Sequence, residues 1–312
     1  LNTLGDNKTV VHAHEAKMKL AKIVKQCRID KPRHFKLADH DPAERFGLST
    51  DIEDVKTILT DGTVRLEELQ QRLYANGQWA MLLVFQGMDA AGKDSVVKHV
   101  MSGINPQGCE VHSFKAPSAE ELAHDFLWRT GKDVPERGRI GIFNRSHYEE
   151  VLVVRVHPDM LERQKLPPGA IGKDIWQQRF EDIRAFEHHL TRNGTLVLKF
   201  HLRLSKEEQR KRFLARLDEP FKRWKFSPND VAERAHWDEY MAAYQDMIRE
   251  TSTGYAPWYV VPADHKHVTW LVVSAAIIEA LEKLKLEYPK VTGQALKDLK
   301  KAERALKTEG KR

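Results

Sequence analysis

The chain reads as an α/β protein whose parallel sheet is covered by helices on both faces. Three observations lead to that fold class. From Trp79 onward, five short apolar runs alternate with amphipathic stretches. The first run, residues 80–86 (AMLLVFQ), is continuously apolar, as a strand buried on both faces requires. It passes directly into a glycine-rich turn, Gly87-Met-Asp-Ala-Ala-Gly-Lys93, that opens a helix.

The elements follow in order. Residues 1–75 are polar and helical in character, an arm leaning on the main domain. Within 51–74, Ile52, Val55, Ile58 and Leu59, then Leu66, Leu69 and Leu73, predict two short amphipathic helices with a break near Asp61-Gly62. After the first strand, residues 93–101 form a helix. Residues 110–115 are a second strand, and 118–130 a helix capped by Ser118 with Glu121 three residues on. Residues 139–144 (RIGIFN) are a third strand. Residues 170–192 place Trp176, Phe180, Ile183 and Leu190 on one helical stripe, closed by Asn193-Gly194. Strands at 195–202 and 258–261 precede a helix over 265–285. Its apolar stretch, 268–278, is too short for a membrane span and is interrupted by Ser274, so it reads as a buried helix. The charged segment 288–312 is a helix, exposed or packed on a partner subunit.

Composition removes other classes. With 17 Gly and 13 Pro and 41% hydrophobic residues, the chain is neither collagenous, low-complexity nor disordered. Its first residues lack the apolar core of a secretory signal. Cys27 and Cys109 are far apart, which suggests neither a disulfide framework nor a zinc site; a cytoplasmic, non-membrane protein is expected. The net charge is +6, and residues 199–225 alone, with ten basic and four acidic side chains, carry the same excess. A concentrated positive surface implies an anionic partner, although a solvated helix face would have the same composition.

The turn at 87–93 breaks that tie. Glycines let a backbone wrap an anion, its N–H groups point inward, and the following helix N-terminus adds positive potential. Lys93 then reaches the transferring phosphates. Asp94 stands where a Ser or Thr hydroxyl ordinarily meets Mg²⁺. Asp89 lies inside the loop, where a carboxylate is unfavourable unless a cation separates it from phosphate, so it is a candidate Mg²⁺ ligand. A second constellation, Phe143-Asn-Arg-Ser-His-Tyr-Glu-Glu150, starts at the end of the third strand, the edge where open α/β sheets bind ligands. Asn144 offers a neutral oxygen to a metal and Arg145 a planar fork to phosphate. Glu149 could restore negative charge at the metal, while its spacing from Ser146 equally fits a capping box. Ser146-His147 is not a nucleophile–base pair, since adjacent residues rarely face each other. The pairs His188-His189 and His265/His267 read as helix surface and loop. Trp237, Tyr240 and Tyr244 recur at helical spacing and read as core.

GMDAAGKD, SFKAPSAEELAHDFLWR, GIFNRSHYEEVLVVRVHP, PFKRWKFSPND and APWYVVPADHK, in this order across residues 66–286, resemble the second family of polyphosphate kinases. The resemblance implies a P-loop kinase fold with a five-stranded parallel sheet and a helical lid at about 205–232 of a kinase domain spanning 76–287. It implies Mg²⁺-dependent phosphoryl transfer between inorganic polyphosphate and AMP, ADP or ATP, with Mn²⁺ as a substitute ion, in a homo-oligomer (dimer or tetramer) that needs no nucleic acid. By position, Asp89, Lys93, Asn144, Arg145 and Glu149 become the catalytic set, with Asp89, Asn144 and Glu149 at the metal. Gly87, Ala90, Ala91, Gly92, Lys93, Asp94, Ser95 and Lys115 become phosphate or nucleotide contacts, and Arg203, Arg212, Arg216, Lys222 and Lys225 polyphosphate contacts of the lid. FNRSHYE is similar to the subgroup that accepts AMP as well as ADP. The alternatives are an ATP-dependent nucleotide or nucleoside kinase on the same fold and a polyanion-binding P-loop protein without turnover.

Overall fold

The computed structural model describes residues 18–48 and 52–309, and the expectations for residues 1–17, 49–51 and 310–312 lie outside the described residues. Strands β1 (Ala80–Gln86), β2 (Cys109–Ser113), β3 (Ile140–Asn144), β4 (Thr195–Arg203) and β5 (Trp258–Pro262) form one parallel sheet in the order β2-β3-β1-β4-β5. The helices, in chain order, are α1 (residues 18–27), α2 (Ile52–Asn76), α3 (Lys93–Val100), α4 (Trp128–Lys132), α5 (Val153–Val156) and α6 (Asp159–Glu162). They continue with α7 (Ile175–Arg192), α8 (Lys206–Asp218), α9 (Pro228–Glu233), α10 (Trp237–Thr251), α11 (Lys266–Lys283) and α12 (Gly293–Glu309).

All seven residues of central β1 are buried. Met81, Leu83 and Phe85 face an apolar layer built by α1, α2, α3 and α11, while Leu82 and Val84 face the layer of α7 and α10. Trp237, Tyr240 and Tyr244 belong to that second layer, as their spacing predicts. The open edge of β5 is covered by the N-terminal segment, whose Ile29 N–H donates to the Trp258 carbonyl at 2.9 Å. Among the described residues no helix is long and apolar enough to cross a membrane, and α12 has no buried residue.

Three expectations fail for identifiable reasons. The break at Asp61-Gly62 does not occur, and α2 is one continuous helix. An added Cβ at Gly62 would sit 3.2 Å from Ser274 Oγ and 3.8 Å from Ile278 Cδ1, so the glycine lets α2 approach α11 rather than ending it. Its cost of about 1 kcal/mol in a helix is outweighed by burial of Leu66, Leu69 and Leu73, each worth roughly 1.5–3 kcal/mol. Gly62→Leu is accordingly expected to destabilise the fold by about 1–3 kcal/mol through overpacking. Denaturant titration checks this, and an unchanged midpoint would contradict the close approach.

The helix expected over 118–130 is the second failure. Its capping box forms, with Ser118 N–H donating to Glu121 at 2.7 Å and Glu121 N–H to Ser118 Oγ at 3.2 Å. However, Asp125 Oδ1 accepts the Leu127 N–H at 2.9 Å, which diverts the backbone, and the α-helix forms only at Trp128. The third failure concerns charge. Lys199, counted with the basic surface, is completely buried on β4.

Candidate active site

The C-terminal ends of β1, β3 and β4 meet at the centre of the sheet, and the loops leaving them build the site. At the exit of β1, Gly87 passes so close to β4 that a Cβ would stand 2.8 Å from the Leu202 carbonyl oxygen. Gly92, at φ 102, completes the loop and serves as N-cap of α3. Lys93 begins that helix and is buried, its Nζ donating to the carbonyls of Gly87 (2.7 Å) and Met88 (3.4 Å). Burial first, and the neighbouring Arg145 second, hold its pKa below that of an ordinary lysine, against the opposing pull of Asp89, Glu149 and Asp94.

At the exit of β3, Asn144 pairs in register with Phe85, and the Arg145 N–H adds one more bond to β1 at the Phe85 carbonyl (3.1 Å). Arg145 then adopts φ 63, a sparsely populated conformation for a non-glycine residue. Its guanidinium reaches Asp89 Oδ1 at 2.7 Å and lies 3.7 Å from Glu149 Oε2. Glu149 chiefly, then Asp89, hold this arginine firmly protonated.

Of the two readings of Glu149, the capping box does not form. Ser146 Oγ accepts the Tyr148 N–H at 3.2 Å, so its capping bond goes to residue 148 and the Glu149 carboxylate turns to Arg145. The buried Gln86 fixes it further. With its amide nitrogen toward Glu149, Gln86 donates to Oε1 at 3.0 Å and accepts from Ser146 Oγ (3.1 Å) and N–H (3.2 Å). Ser146 and His147 are both buried, and His147 Nε2 lies 3.8 Å from the Glu187 carboxylate, so neither offers a nucleophile.

Asp89, Lys93, Arg145 and Glu149 are thereby brought together. Asn144 stands apart, donating to Asp94 Oδ1 at 2.6 Å. Asp89, Arg145 and Glu149 border a cavity of about 420 Å³ lined also by Phe114, Lys115, Arg129, Asp230, Tyr240 and Tyr244, while Lys93 is buried behind the loop. Arg129, Asp230 and Gln86 were not singled out from the sequence. Arg129 Nη1 is tied to the Lys115 carbonyl at 2.8 Å, and Asp230 pairs with Arg216 at 3.4 Å. Such tertiary pairings leave no local spacing signal.

The basic residues divide by environment. Arg212 donates to the carbonyls of Ala90 (2.9 Å), Ala91 (3.3 Å), Ala263 (2.6 Å) and Asp264 (3.0 Å) and to Glu208 (2.8 Å), so its fork is engaged with the loop and with the end of β5. Arg203 ends β4 facing a smaller cavity beside His40, Asp41 and Glu44. Lys222 pairs with Glu219 (2.5 Å), and Lys225 lies over the exposed Trp224 ring (5.1 Å) on the segment between α8 and α9. Ser95 follows on the first turn of α3, and Lys115 is exposed at the cavity rim.

A parallel sheet with this phosphate-type loop at its central strand and an arginine across from it defines a P-loop phosphotransferase. The family model described as Polyphosphate kinase 2 matches residues 49–289, and the chain belongs to that family. It is 58% identical over 248 residues to an ADP-polyphosphate phosphotransferase of Rhodopseudomonas palustris, covering 79% of this chain and 86% of that protein. It is 45% identical over 266 residues to an AMP/ADP-polyphosphate phosphotransferase of Meiothermus ruber, covering 85% and 96%. The crystal structure of Polyphosphate Kinase 2 from Arthrobacter aurescens TC1 superposes with a TM-score of 0.80 at 42% identity, covering 91% of this chain and 95% of that one.

Proposed function

We propose that this chain transfers phosphoryl groups between inorganic polyphosphate and adenine nucleotides, converting AMP to ADP and ADP to ATP. The meeting of Arg145 and Asp89 on one cavity at the carboxyl edge of the sheet, with Lys93 held by the carbonyls of the same loop, carries the reading. The names of the Rhodopseudomonas and Meiothermus relatives support the substrates, and the second supports AMP as an acceptor.

In this reading the loop amides at 87–93 and the α3 N-terminus hold the donor phosphates, while Lys93 and Arg145 neutralise charge on the equatorial oxygens. A nucleotide phosphate oxygen is already a competent nucleophile, so its in-line placement replaces a general base. Lys115 and Arg129 at the cavity rim take the acceptor. Arg216, Lys222 and Lys225 guide the polyphosphate, and Arg212 and Arg203 anchor the lid at its root. Closure over the site excludes water.

A divalent cation fits the donor set. Asp89 and Glu149 present hard oxygen donors to one cavity, while Asn144 is engaged with Asp94. Among the described residues no three His, Cys, Asp or Glu side chains are grouped to hold an ion by themselves, so the ion would be shared with phosphate oxygens, as Mg²⁺ commonly is. When bound, Mg²⁺, or Mn²⁺ in its place, supplies neutralisation of phosphate charge. The same reading includes a cytoplasmic location, a homo-oligomer, and a division into arm (1–75), kinase domain (76–287) and charged helix (288–312).

The decisive assay offers AMP or ADP with long-chain polyphosphate and Mg²⁺ as the sole donor system and follows products over time. Polyphosphate-dependent ADP and ATP are expected. An ATP-dependent nucleotide kinase would make no ATP here, and a passive polyanion binder would convert nothing. Activity should also fall at high pH. The free enzyme's kcat/KM reports the pKa of its essential groups. Because Lys93 titrates below an ordinary lysine, its charge is lost, and the basic limb begins, at a lower pH than an ordinary ammonium would give. A profile flat through the ordinary lysine range would contradict the role of Lys93.

A further inference from the structure

Beneath the site, on the sheet face that carries α7 and α10, lies a buried ionic assembly that the phosphoryl-transfer chemistry does not use. Lys199 of β4 donates to Glu187 Oε2 of α7 (2.5 Å), to Tyr148 Oη (2.9 Å) and to the Thr251 carbonyl at the end of α10 (2.8 Å). Its three protons therefore have three acceptors. Tyr148 Oη in turn donates to Glu187 Oε1 at 2.6 Å, and Trp258 Nε1 fixes Thr251 through Oγ1 at 2.9 Å. Lys199, Glu187, Tyr148 and Thr251 are each no more than 1% exposed.

Burying such a pair is not the cheapest way to hold four elements together, because apolar side chains of similar volume are often equally or more stabilising. What the pair adds is geometry. The segment after β3 needs it: Arg145 is at φ 63, residues 147–151 form only a 3₁₀ turn, and Leu152 leaves it at φ −115, ψ −85. Anchored side chains are interleaved with the two charged groups along this segment. Ser146, Tyr148 and Glu150 are anchored in the scaffold, the last by Arg179 (2.9 Å) and Gln164 (2.7 Å). Arg145 and Glu149, between and beside the anchors, reach the cavity, whose wall the anchored Ser146 and Glu150 also form.

We propose that the Tyr148–Glu187–Lys199 assembly is a positioning device that sets Arg145 and Glu149 against the phosphate loop. The role rests on the functional reading above. These residues do not line the cavity; they act through the backbone of residues 145–149.

The test is Tyr148→Phe, which removes one hydroxyl and keeps the ring, together with the paired replacement Glu187→Met/Lys199→Met. Tyr148→Phe is expected to lower kcat about tenfold per folded enzyme while KM for nucleotide and polyphosphate stays within about twofold, because misplaced groups forfeit transition-state interactions. The paired apolar replacement is expected to melt near the wild type and still turn over slowly, a combination that a purely structural role would not give. Wild-type kcat in Tyr148→Phe overturns the proposal even if the paired variant fails to fold. Full activity in a stable paired variant overturns it equally. The unaltered enzyme is assayed alongside: its inactivity would refute the functional reading and this role together, whereas an active wild type with an equally active Tyr148→Phe refutes this role alone.

Discussion

Lys93→Ala is expected to lower turnover by roughly a thousandfold or more, since a cation poised on the transferring phosphoryl group is worth about 10³–10⁵ in rate where it has been measured in related chemistry. The expectation follows from where the ammonium sits. It is buried at the mouth of the loop, held by two loop carbonyls at the first residue of α3, and alanine can supply neither the charge nor its placement. Folding should survive. The lysine's charge is disfavoured by its burial, and alanine is the best helix former for this position. A melting temperature at or above that of the wild type, with polyphosphate-dependent ATP formation near background, is the predicted pair of measurements. Near-normal kcat would remove the loop lysine from the mechanism.

Asp89→Asn is expected to reduce kcat by about 10²–10³-fold, the range for loss of one preorganised electrostatic contact. The substitution preserves shape and one hydrogen-bonding oxygen toward Arg145, so the loop should keep its conformation. What it removes is the negative charge that faces Arg145 at 2.7 Å and, in the proposed mechanism, the hard oxygen that draws a divalent cation into the cavity. The pair is partly exposed, so its loss should shift stability by at most about 1 kcal/mol. The variant should also need more Mg²⁺ for half-maximal rate. An unchanged rate and an unchanged Mg²⁺ requirement would assign the ion elsewhere.

Much of this site is legible in the sequence. The loop needs glycines at 87 and 92 and a lysine at 93 in consecutive sequence, and its flanking strand and helix announce themselves through apolar runs. The motif from Phe143 to Glu150 sits at a strand end for the same reason. The part of Arg129, Asp230 and Gln86 in building the site is not legible, because each is held by a partner outside its own element. The basic count over 199–225 was misleading in detail. Lys199 is sealed in the core, and Arg212 spends its donors on carbonyls. A charge total records which groups are present, not which of them water can reach.

The α/β class, the five strands, the phosphate loop and its lysine follow from periodicity and from residues adjacent in the chain. Packing between elements decided that Gly62 is a contact rather than a break and that the Glu149 carboxylate turns to Arg145 rather than to a cap. It likewise decided that Lys199 is a buried strut. In each case the outcome is set by what packs against the residue from another element, and that neighbour is fixed when the sheet and its helices assemble.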